Sequence, residues 1–283
     1  MNENIIVTIT TMPSRFEKFK NIFFPNIVEL SLNFSKICIT VDDNVTNEIV
    51  GMYQSFIDEY NRKLGKIYSI FPNIELVLND YRFGVVNKLA GPVKKYGTSN
   101  VFISLDDDIF YKKIYIDDLL KYHKLYPNDV ICMESNPTTI INEKINVECK
   151  VNVPTKFKTM EGCWKFLTNC ALYPNDAFKN TRLLDINWIQ KNNFNKNDEI
   201  FFWAELLSKG IKTISTSTTW SIGSDDSNNI TNDDSLTYYD LNNWNKYNLI
   251  ITENYPQLIN IIKNSKSESV EQITNSWKGV LGI

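Results

Sequence analysis

Short apolar runs alternate with amphipathic segments through the first half of the chain. Four runs are apolar and rich in β-branched residues, and we predict a strand for each: residues 5–10, 36–41, 74–78 and 101–105. Between the first three runs, apolar residues recur at helical spacing over residues 13–23 and 47–64. Strands that alternate with helices favour right-handed crossovers. The pattern therefore predicts an α/β fold with a Rossmann-like, mainly parallel sheet flanked by helices.

The pattern is weaker in the second half of the chain. We predict a helix over residues 116–126 and short strands over residues 129–133 and 212–216. Residues 135–159 indicate either a hairpin or a loop excursion. A further helix opens at Asn197-Asp198-Glu199, where an apolar periodic segment begins.

The composition is that of a globular, slightly acidic protein. Of 283 residues, 43% are hydrophobic and 22% are charged, and the net charge is −3. An acidic chain does not suit a polyanion, so no nucleic-acid partner is expected. No apolar stretch approaches the roughly 20 residues that span a bilayer. The first residues also lack the features of a signal peptide, so we expect any membrane contact to be peripheral.

Cysteine usage indicates the compartment. The chain has five cysteines, and no Cys-x-x-Cys spacing occurs among them. An odd number without that spacing favours neither a disulfide framework nor a zinc site. Reduced thiols are typical of the cytoplasm, where a peripheral protein would lie at the inner face of the membrane.

Three consecutive aspartates, Asp106-Asp107-Asp108, close the fourth predicted strand. Three carboxylates after a buried strand are costly unless positive charge lies against them. A divalent cation supplies such charge, because hard cations take oxygen ligands. Thr10-Thr11 and Asp42-Asp43 also lie at the ends of predicted strands, and ligands of such sheets bind at the carboxyl ends of strands. The pattern predicts a metal site for a phosphate-bearing substrate, and the alternative is a polar turn that caps the next helix.

Four segments, in order along the chain, resemble segments of bacterial nucleotide-sugar glycosyltransferases with the GT-A fold. VFISLDDDIFY resembles their DxD region, and IIVTITTMPSRFEKF resembles their first strand and turn. GVVNKLAGPVKKYGTSNVFISLDDDIFY is similar to their lysine-containing approach to the DxD strand. NDEIFFWAELLSKGIKT is similar to their late acidic motif. The resemblance implies a GT-A fold and sugar transfer from a nucleotide diphosphate donor.

The resemblance implies divided roles for the three aspartates. Asp108 would ligate a divalent metal, Mn²⁺ or Mg²⁺. Asp106 would hold the ribose side of the nucleotide, and Asp107 the donor sugar, or the metal by way of water. Many GT-A enzymes add a second metal ligand, often a His, from near the C-terminus, and no His follows His123 here. Asp225 or Asp226 could substitute, or waters and the diphosphate could complete the coordination shell.

The same resemblance implies further residues of the donor site. Two of them could also have no role in binding. Arg15 could be a solvated helix residue, and Lys88 could be a surface lysine. The implied residues are Thr8, Thr10 and Arg15 along the nucleotide, Asp42 at the ribose or base, Lys88 at a phosphate, and Gly162 and Trp164 beside the donor sugar or acceptor.

The candidate general base is Asp198 or Glu199, with Asp198 favoured. A helix N-terminus stabilises a carboxylate, so such a group is expected to stay ionised at neutral pH. A base that takes the proton of the acceptor hydroxyl implies direct displacement with inversion at the anomeric carbon. The alternative is that both acids only stabilise the first turn of the helix.

The implied protein is a metal-dependent hexosyl- or N-acetylhexosaminyltransferase that uses a nucleotide sugar, with UDP as the default, and a surface-glycan or glycolipid acceptor such as lipopolysaccharide. Its catalytic domain would cover residues 1–240, with a nucleotide-binding half over about 1–112, an acceptor half over about 113–240, and a helical extension over 241–283.

Two rival functions remain at this stage. A sugar nucleotidyltransferase would carry a glycine-rich loop after the first strand, and the segment Thr10-Thr11-Met12-Pro13-Ser14-Arg15 has no glycine. A non-catalytic nucleotide-sugar-binding module would not need acids at both Asp106–Asp108 and Asp198-Glu199. The oligomeric state is open.

Overall fold

The computed structural model describes residues 4–41, 45–136, 138–147, 153–154, 160–166, 168–216 and 244–265. The strands within these residues are β1 (Ile5–Thr11), β2 (Lys36–Val41), β3 (Asn73–Leu76), β4 (Val101–Asp106), β5 (Val130–Cys132), β6 (Glu134–Asn136), β7 (Thr138–Ile141), β8 (Lys144–Val147), β9 (Val153–Pro154), β10 (Met160–Gly162), β11 (Lys165–Phe166), β12 (Cys170–Tyr173) and β13 (Thr213–Ser215).

The α-helices of the same residues are α1 (Phe16–Lys18), α2 (Phe24–Leu30), α3 (Asn47–Ile67), α4 (Asn87–Tyr96), α5 (Lys113–Leu125), α6 (Ile186–Lys191), α7 (Asp198–Leu207), α8 (Trp244–Asn254) and α9 (Gln257–Lys263). Short 3-10 helices lie at Pro13–Arg15, Tyr81–Val86 and Phe194–Lys196, and a π-helix at Phe19–Phe23. None of these helices is both long enough and apolar enough to cross a bilayer.

Eight strands form the central sheet, in the order β10-β13-β5-β12-β4-β1-β2-β3. β1 pairs in parallel with β2 and β4, β2 with β3, and β13 with β5. β12 runs antiparallel to β4 and β5, and β10 antiparallel to β13. The predicted α/β class, with a mainly parallel sheet flanked by helices, is confirmed.

Helices cover both faces of the sheet. Because successive side chains of a strand point to opposite faces, Ile6 and Phe102 pack with α4, α7, α8 and α9. Val7 and Ile103 pack on the other face with α2, α3 and α5. Both faces are therefore apolar core, and the polar side chains that could do chemistry lie at the strand ends.

The pairing register aligns polar residues at the carboxyl edge of the sheet. Thr10 of β1 pairs with Thr40 of β2 on one side and with Asp106 of β4 on the other. β12 runs the opposite way, so its first residue, Cys170, lies beside Leu105. Thr168, just before β12, accepts a hydrogen bond at its carbonyl from the Ser104 hydroxyl at 2.5 Å. The antiparallel strand thus brings its leading residues to the edge where β4 ends.

The helix predicted over residues 13–23 is a composite of 3-10, α and π turns. The backbone N–H of Phe24 donates to the carbonyl of Phe19, which is the five-residue spacing of a π-turn. This spacing lets both rings contact Phe56 of α3, with ring centroids 6.4 Å apart for Phe19 and 5.0 Å apart for Phe24. Regular α-helical spacing would turn one of the two rings away from the core.

Residues 138–147 form a β-hairpin, β7–β8, which confirms the hairpin interpretation for this part of the segment. Helix α8 lies against it. The backbone N–H groups of Ile145 and Val147 donate to Thr252 Oγ1 at 3.0 Å and Asn248 Oδ1 at 3.3 Å. Side chains of α8 thus satisfy donors on β8. The division at residue 240 stays a prediction.

Candidate active site

The turn that follows β4 is held in place from two directions. The backbone N–H of Tyr111 donates to Asn26 Oδ1 at 2.8 Å, and Asn26 Nδ2 donates back to the Tyr111 carbonyl at 2.9 Å. The Tyr111 hydroxyl accepts from the backbone N–H of Asp106 at 2.8 Å and donates to the carbonyl of Asn169. The aspartates therefore sit on a fixed turn, with their backbone braced by α2 and by the approach to β12.

The protein itself supplies positive charge to the aspartates. Arg15 Nη1 lies 2.9 Å from Asp107 Oδ1 and 3.4 Å from Asp108 Oδ2. Lys88 Nζ lies 2.5 Å from Asp106 Oδ1. Each of the three carboxylates therefore has a cationic side chain as a neighbour. Part of the positive charge that the three carboxylates need therefore comes from the protein and not from a metal ion.

Three carboxylates so close together still repel one another. Burial, together with the charges of Asp106 and Asp107, raises the pKa of Asp108 to about 7, and the charges of Arg15 and Lys88 oppose this rise. Burial also raises the pKa of Asp107, and the charge of Arg15 opposes this. A bound cation would lower both pKa values, because it favours the ionised form. The electrostatics of the turn thus favour a ligand that brings positive charge.

Asp198 begins α7 behind Asn197, whose Oδ1 accepts the N–H of Ile200 at 3.2 Å. The Thr168 hydroxyl donates to Asp198 Oδ2 at 3.0 Å, and Lys88 Nζ lies 3.7 Å from the same oxygen. Within the part of the chain that the structure describes, Oδ1 makes no hydrogen bond. One oxygen of the carboxylate is thus held by a hydrogen bond and an ion pair.

Burial is the main influence on the ionisation of Asp198. It raises the pKa to about 6, with Lys88 opposing and the charges of Glu199 and Asp106 adding to the rise. From the sequence we expected the helix N-terminus to set the pKa of Asp198. Burial has the larger effect. A carboxyl with this pKa is still mostly ionised at neutral pH, and it lies in the range suited to a general base.

Glu199, the second candidate base, has a different partner. Its Oε2 accepts a hydrogen bond from Lys165 Nζ. Lys165 belongs to β11, and its side chain is only 1% exposed. Asp198 and Glu199, although adjacent in sequence, are thus held by separate lysines from separate elements.

Lys88 is not a surface lysine. It is buried in the first turn of α4, with Asp106, Asp198 and the Thr168 hydroxyl (3.4 Å) around its ammonium group. Burial lowers its pKa, but the charges of Asp106 and Asp198 outweigh burial and hold the pKa above its ordinary value. It is therefore a permanent cation between the two groups of acids.

The remaining predicted residues lie at different depths. The Thr10 hydroxyl is 2.7 Å from that of Thr40, at the edge beside Asp106. Thr8 is buried within the sheet, where its hydroxyl donates to the Ile103 carbonyl at 3.4 Å. Trp164 is buried, and Gly162 ends β10 at one margin of the sheet. Asp42, Asp225 and Asp226 lie outside the described residues.

Four residues of the candidate site were not predicted from the sequence: Asn26, Tyr111, Lys165 and Thr168. Tyr111 and Thr168 act through contacts that depend on the antiparallel placement of β12. Asn26 lies 85 positions from the carbonyl that it holds. No local pattern marks such residues, because their roles arise only when distant segments meet.

A metal ion would find few protein ligands here. Within the described ranges, no group of three or more His, Cys, Asp or Glu side chains is arranged to hold one. Mg²⁺ and similar ions are often bound by one or two carboxylates, with water and substrate phosphates completing the shell. Asp108 beside Asp107 fits that mode of binding and does not fit an all-protein cage.

Comparison with known proteins gives only a distant likeness. No family model matches the chain, and no curated protein matches it. Solved structures that match include residues 1–349 of S. aureus TarS, with a TM-score of 0.45 and 12% identity over 76% of this chain and 59% of that chain. The complex of that fragment with UDP-GlcNAc gives a TM-score of 0.44 and 13% identity over 76% and 57%.

The complex of the same fragment with UDP matches at a TM-score of 0.42 and 12% identity over 76% of this chain and 59% of that chain. The chain thus spans less than two thirds of these TarS chains.

Proposed function

We propose that this protein is a nucleotide-sugar-dependent glycosyltransferase of the GT-A type. It moves a sugar from a nucleotide diphosphate donor to a glycan or glycolipid acceptor. The observation that carries the proposal is the meeting of Asp106 and Asp198 across Lys88. This contact places the proposed donor-binding end of β4 opposite the candidate base. The roles of both groups are those that the resemblance of the four sequence segments implies.

Asp198 is the proposed general base. Its anchored Oδ2 fixes the carboxylate, and its Oδ1 is left to accept the proton of an acceptor hydroxyl. As that proton moves to Asp198, the hydroxyl oxygen bonds to the anomeric carbon of the donor sugar. The bond from that carbon to the diphosphate breaks with its electrons, and the nucleoside diphosphate leaves. One displacement of this kind inverts the anomeric centre.

The leaving diphosphate carries the charge that the site must stabilise. Asp108 would hold Mn²⁺ or Mg²⁺, and the ion would offset part of this charge. Asp106 and Thr10 lie side by side at the carboxyl edge, where ligands of parallel sheets bind. We propose that this pair contacts the ribose and donor sugar, together with Asp107.

The donor and the setting follow from the resemblance. UDP is the proposed nucleotide and a hexose or N-acetylhexosamine the proposed sugar, in a cytoplasmic bacterial enzyme of surface-polysaccharide synthesis. A glycolipid acceptor would bring the enzyme to the inner face of the membrane. Near the aspartates, Phe110 and Ile114 are 53% and 55% exposed, and the exposed Lys112 and Lys113 lie between them. Apolar and basic side chains together support peripheral contact with an anionic bilayer.

Turnover of nucleotide sugars tests the proposal. The protein is mixed with a panel of UDP-, GDP- and CDP-sugars, with Mn²⁺ or Mg²⁺, and release of the nucleoside diphosphate is measured. We expect release from at least one donor, and its loss in Asp198→Asn. Release of pyrophosphate from a nucleoside triphosphate and a sugar phosphate would instead identify a nucleotidyltransferase. Calorimetric binding of a donor without any turnover would identify a binding module.

A further inference from the structure

Lys88 occupies a closed position between two functional groups of the site. Its Nζ is within 2.5 Å of Asp106 Oδ1, 3.4 Å of Thr168 Oγ1 and 3.7 Å of Asp198 Oδ2. These partners come from β4, from the residues before β12 and from α7. The lysine is buried among them, so its ammonium group interacts with protein groups and hardly with solvent.

We propose that Lys88 is a positioning residue for the base Asp198, and that it does not bind the donor diphosphate. The inference rests on the proposed function, since it assigns Lys88 a task within that reaction. Lys88 joins the donor-side acid Asp106 to the acceptor-side acid Asp198 and sets the distance between them.

Breaking these contacts would be costly. A phosphate that took the Lys88 ammonium would leave Asp106 and Asp198 without it, and removing one partner of a buried ion pair leaves an uncompensated charge. Arg15 lies beside Asp107 and Asp108, and its side chain is 13% exposed against 8% for Lys88. The geometry thus separates the cation that meets the ligand from the cation that holds the base.

Thr168 works with Lys88 on the same atom. Both approach Oδ2 of Asp198, the hydroxyl at 3.0 Å and the ammonium at 3.7 Å. A hydrogen bond from Thr168 and the nearby charge of Lys88, both at Oδ2, restrict rotation of the carboxylate and direct Oδ1 away from them. A base that is fixed in this way needs little reorganisation when the acceptor arrives.

The two acids that start α7 form ion pairs with different lysines. Glu199 is held by Lys165, whose side chain reaches it from β11. Loss of Lys88 should therefore affect Asp198 and leave the Lys165–Glu199 pair in place.

A double-mutant cycle in catalysis tests the inference. Lys88→Met removes the ammonium, and we expect kcat to fall at least about tenfold. We expect the Kd for UDP, measured by calorimetry, to stay within about twofold, because Lys88 does not touch the donor. In an Asp198→Asn background, Lys88→Met should change kcat little, because a residue that acts through another has no effect once that residue is lost. Lys94→Met is the matched control, since Lys94 is exposed on the same helix.

The opposite pattern overturns the inference. If Lys88 binds the diphosphate, Lys88→Met weakens UDP binding tenfold or more, and does so equally in the Asp198→Asn background. If the wild-type protein turns over no nucleotide sugar, the proposed function fails and the inference fails with it. If the wild type turns over a nucleotide sugar and kcat is unchanged in Lys88→Met, the inference about Lys88 is wrong and the proposed function stands.

Thr168 provides a second test in case Lys88→Met does not fold. Thr168→Val removes the hydroxyl with little change in volume, and Thr168→Ser retains it. We expect kcat to fall severalfold in Thr168→Val, with UDP affinity unchanged and activity largely retained in Thr168→Ser. Equal kcat values for the two variants would show that anchoring of Oδ2 is not needed.

Discussion

Lys88 Nζ lies 3.7 Å from Asp198 Oδ2, although 110 positions separate the two residues along the chain. The same ammonium is 2.5 Å from Asp106, so one buried cation joins the end of β4 to the start of α7. A contact of this kind fixes the distance between the candidate donor site and the candidate base. It also explains how carboxylates from both segments are accommodated in a buried site.

Asp198 and Glu199 should differ sharply as bases. Asp198→Asn removes the carboxylate whose Oδ1 is left for the acceptor, and we expect kcat to fall by about 10²–10⁴-fold. Glu199→Gln keeps a side chain that Lys165 can still donate to, so we expect a loss of less than about tenfold. Initial rates of nucleoside diphosphate release, with donor and acceptor saturating, measure both. Equal losses in the two variants would contradict the assignment of Asp198.

The activity should depend on pH through Asp198. Burial raises its pKa to about 6, while Lys88 opposes the rise, and the charges of Glu199 and Asp106 add to it. A base acts only in its ionised form, so we expect kcat to decrease as the pH falls through about 6. Lys88→Met removes the opposing charge, so the decrease should begin at a higher pH.

The control for the pH profile is Lys94→Met, which should leave the midpoint where it is in the wild type. Profiles of kcat are recorded with saturating donor and acceptor, after circular dichroism shows that each variant stays folded over the range. A wild-type rate that is constant across pH 5–7 would contradict the role of Asp198 as base. So would an identical midpoint in Lys88→Met.

The local pattern of the chain was enough to predict β4 and the position of the aspartates at its end. In an α/β sheet, an apolar run that is followed at once by three acids is typical of a buried strand that ends at the edge of the sheet. The same pattern could not show which cation meets the acids. Arg15 and Lys88 reach them from elements that lie 92 and 18 positions away, and only the folded chain brings these groups together.

The antiparallel strand β12 is the main feature that sequence reasoning missed. Its residues are an apolar run like those of the parallel strands, and direction is not encoded in such a run. Yet its direction decides the site, because it brings Thr168 and Asn169 beside the end of β4. Interactions that orient the base and brace the turn were therefore beyond local patterns.

Gly84 should be intolerant of any side chain. It has a φ of +56°, and a Cβ at this position would lie 1.9 Å from the Asn195 carbonyl oxygen. The contact joins the segment before α4 to the segment before α7, the helices that carry Lys88 and Asp198. We expect Gly84→Ala to lower the free energy of unfolding by at least about 2 kcal/mol, through backbone strain and overpacking.

Gly51→Ala is the matched control for Gly84→Ala. Gly51 lies inside α3, and nothing is within 4 Å of the added Cβ. Because alanine favours the helix over glycine, we expect a gain of about 0.5–1 kcal/mol. Urea denaturation followed by circular dichroism compares the two variants. Equal stability changes would show that the close approach at Gly84 is not tight.

The dependence of the activity on a metal ion should require the Asp108 carboxylate. If this carboxylate ligates Mn²⁺ or Mg²⁺ together with the diphosphate, Asp108→Asn should raise the metal concentration needed for half-maximal activity by tenfold or more. The wild type should lose activity with EDTA and regain it with added metal. Glu143→Gln, an exposed acid on the β7–β8 hairpin, is the control. Full metal-dependent activity in Asp108→Asn would remove Asp108 from the metal site.

Membrane contact should depend on the exposed side chains next to the aspartates. We expect the protein to sediment with vesicles that contain phosphatidylglycerol and to bind less to phosphatidylcholine alone, because Lys112 and Lys113 favour anionic lipid. Phe110→Ser with Ile114→Ser should reduce sedimentation severalfold. The matched control is Ile67→Ser with Ile70→Ser, side chains that are 70% and 84% exposed at the end of α3 and beyond it. An equal reduction in both pairs would show that binding follows general surface hydrophobicity, and no sedimentation at all would contradict the proposed contact.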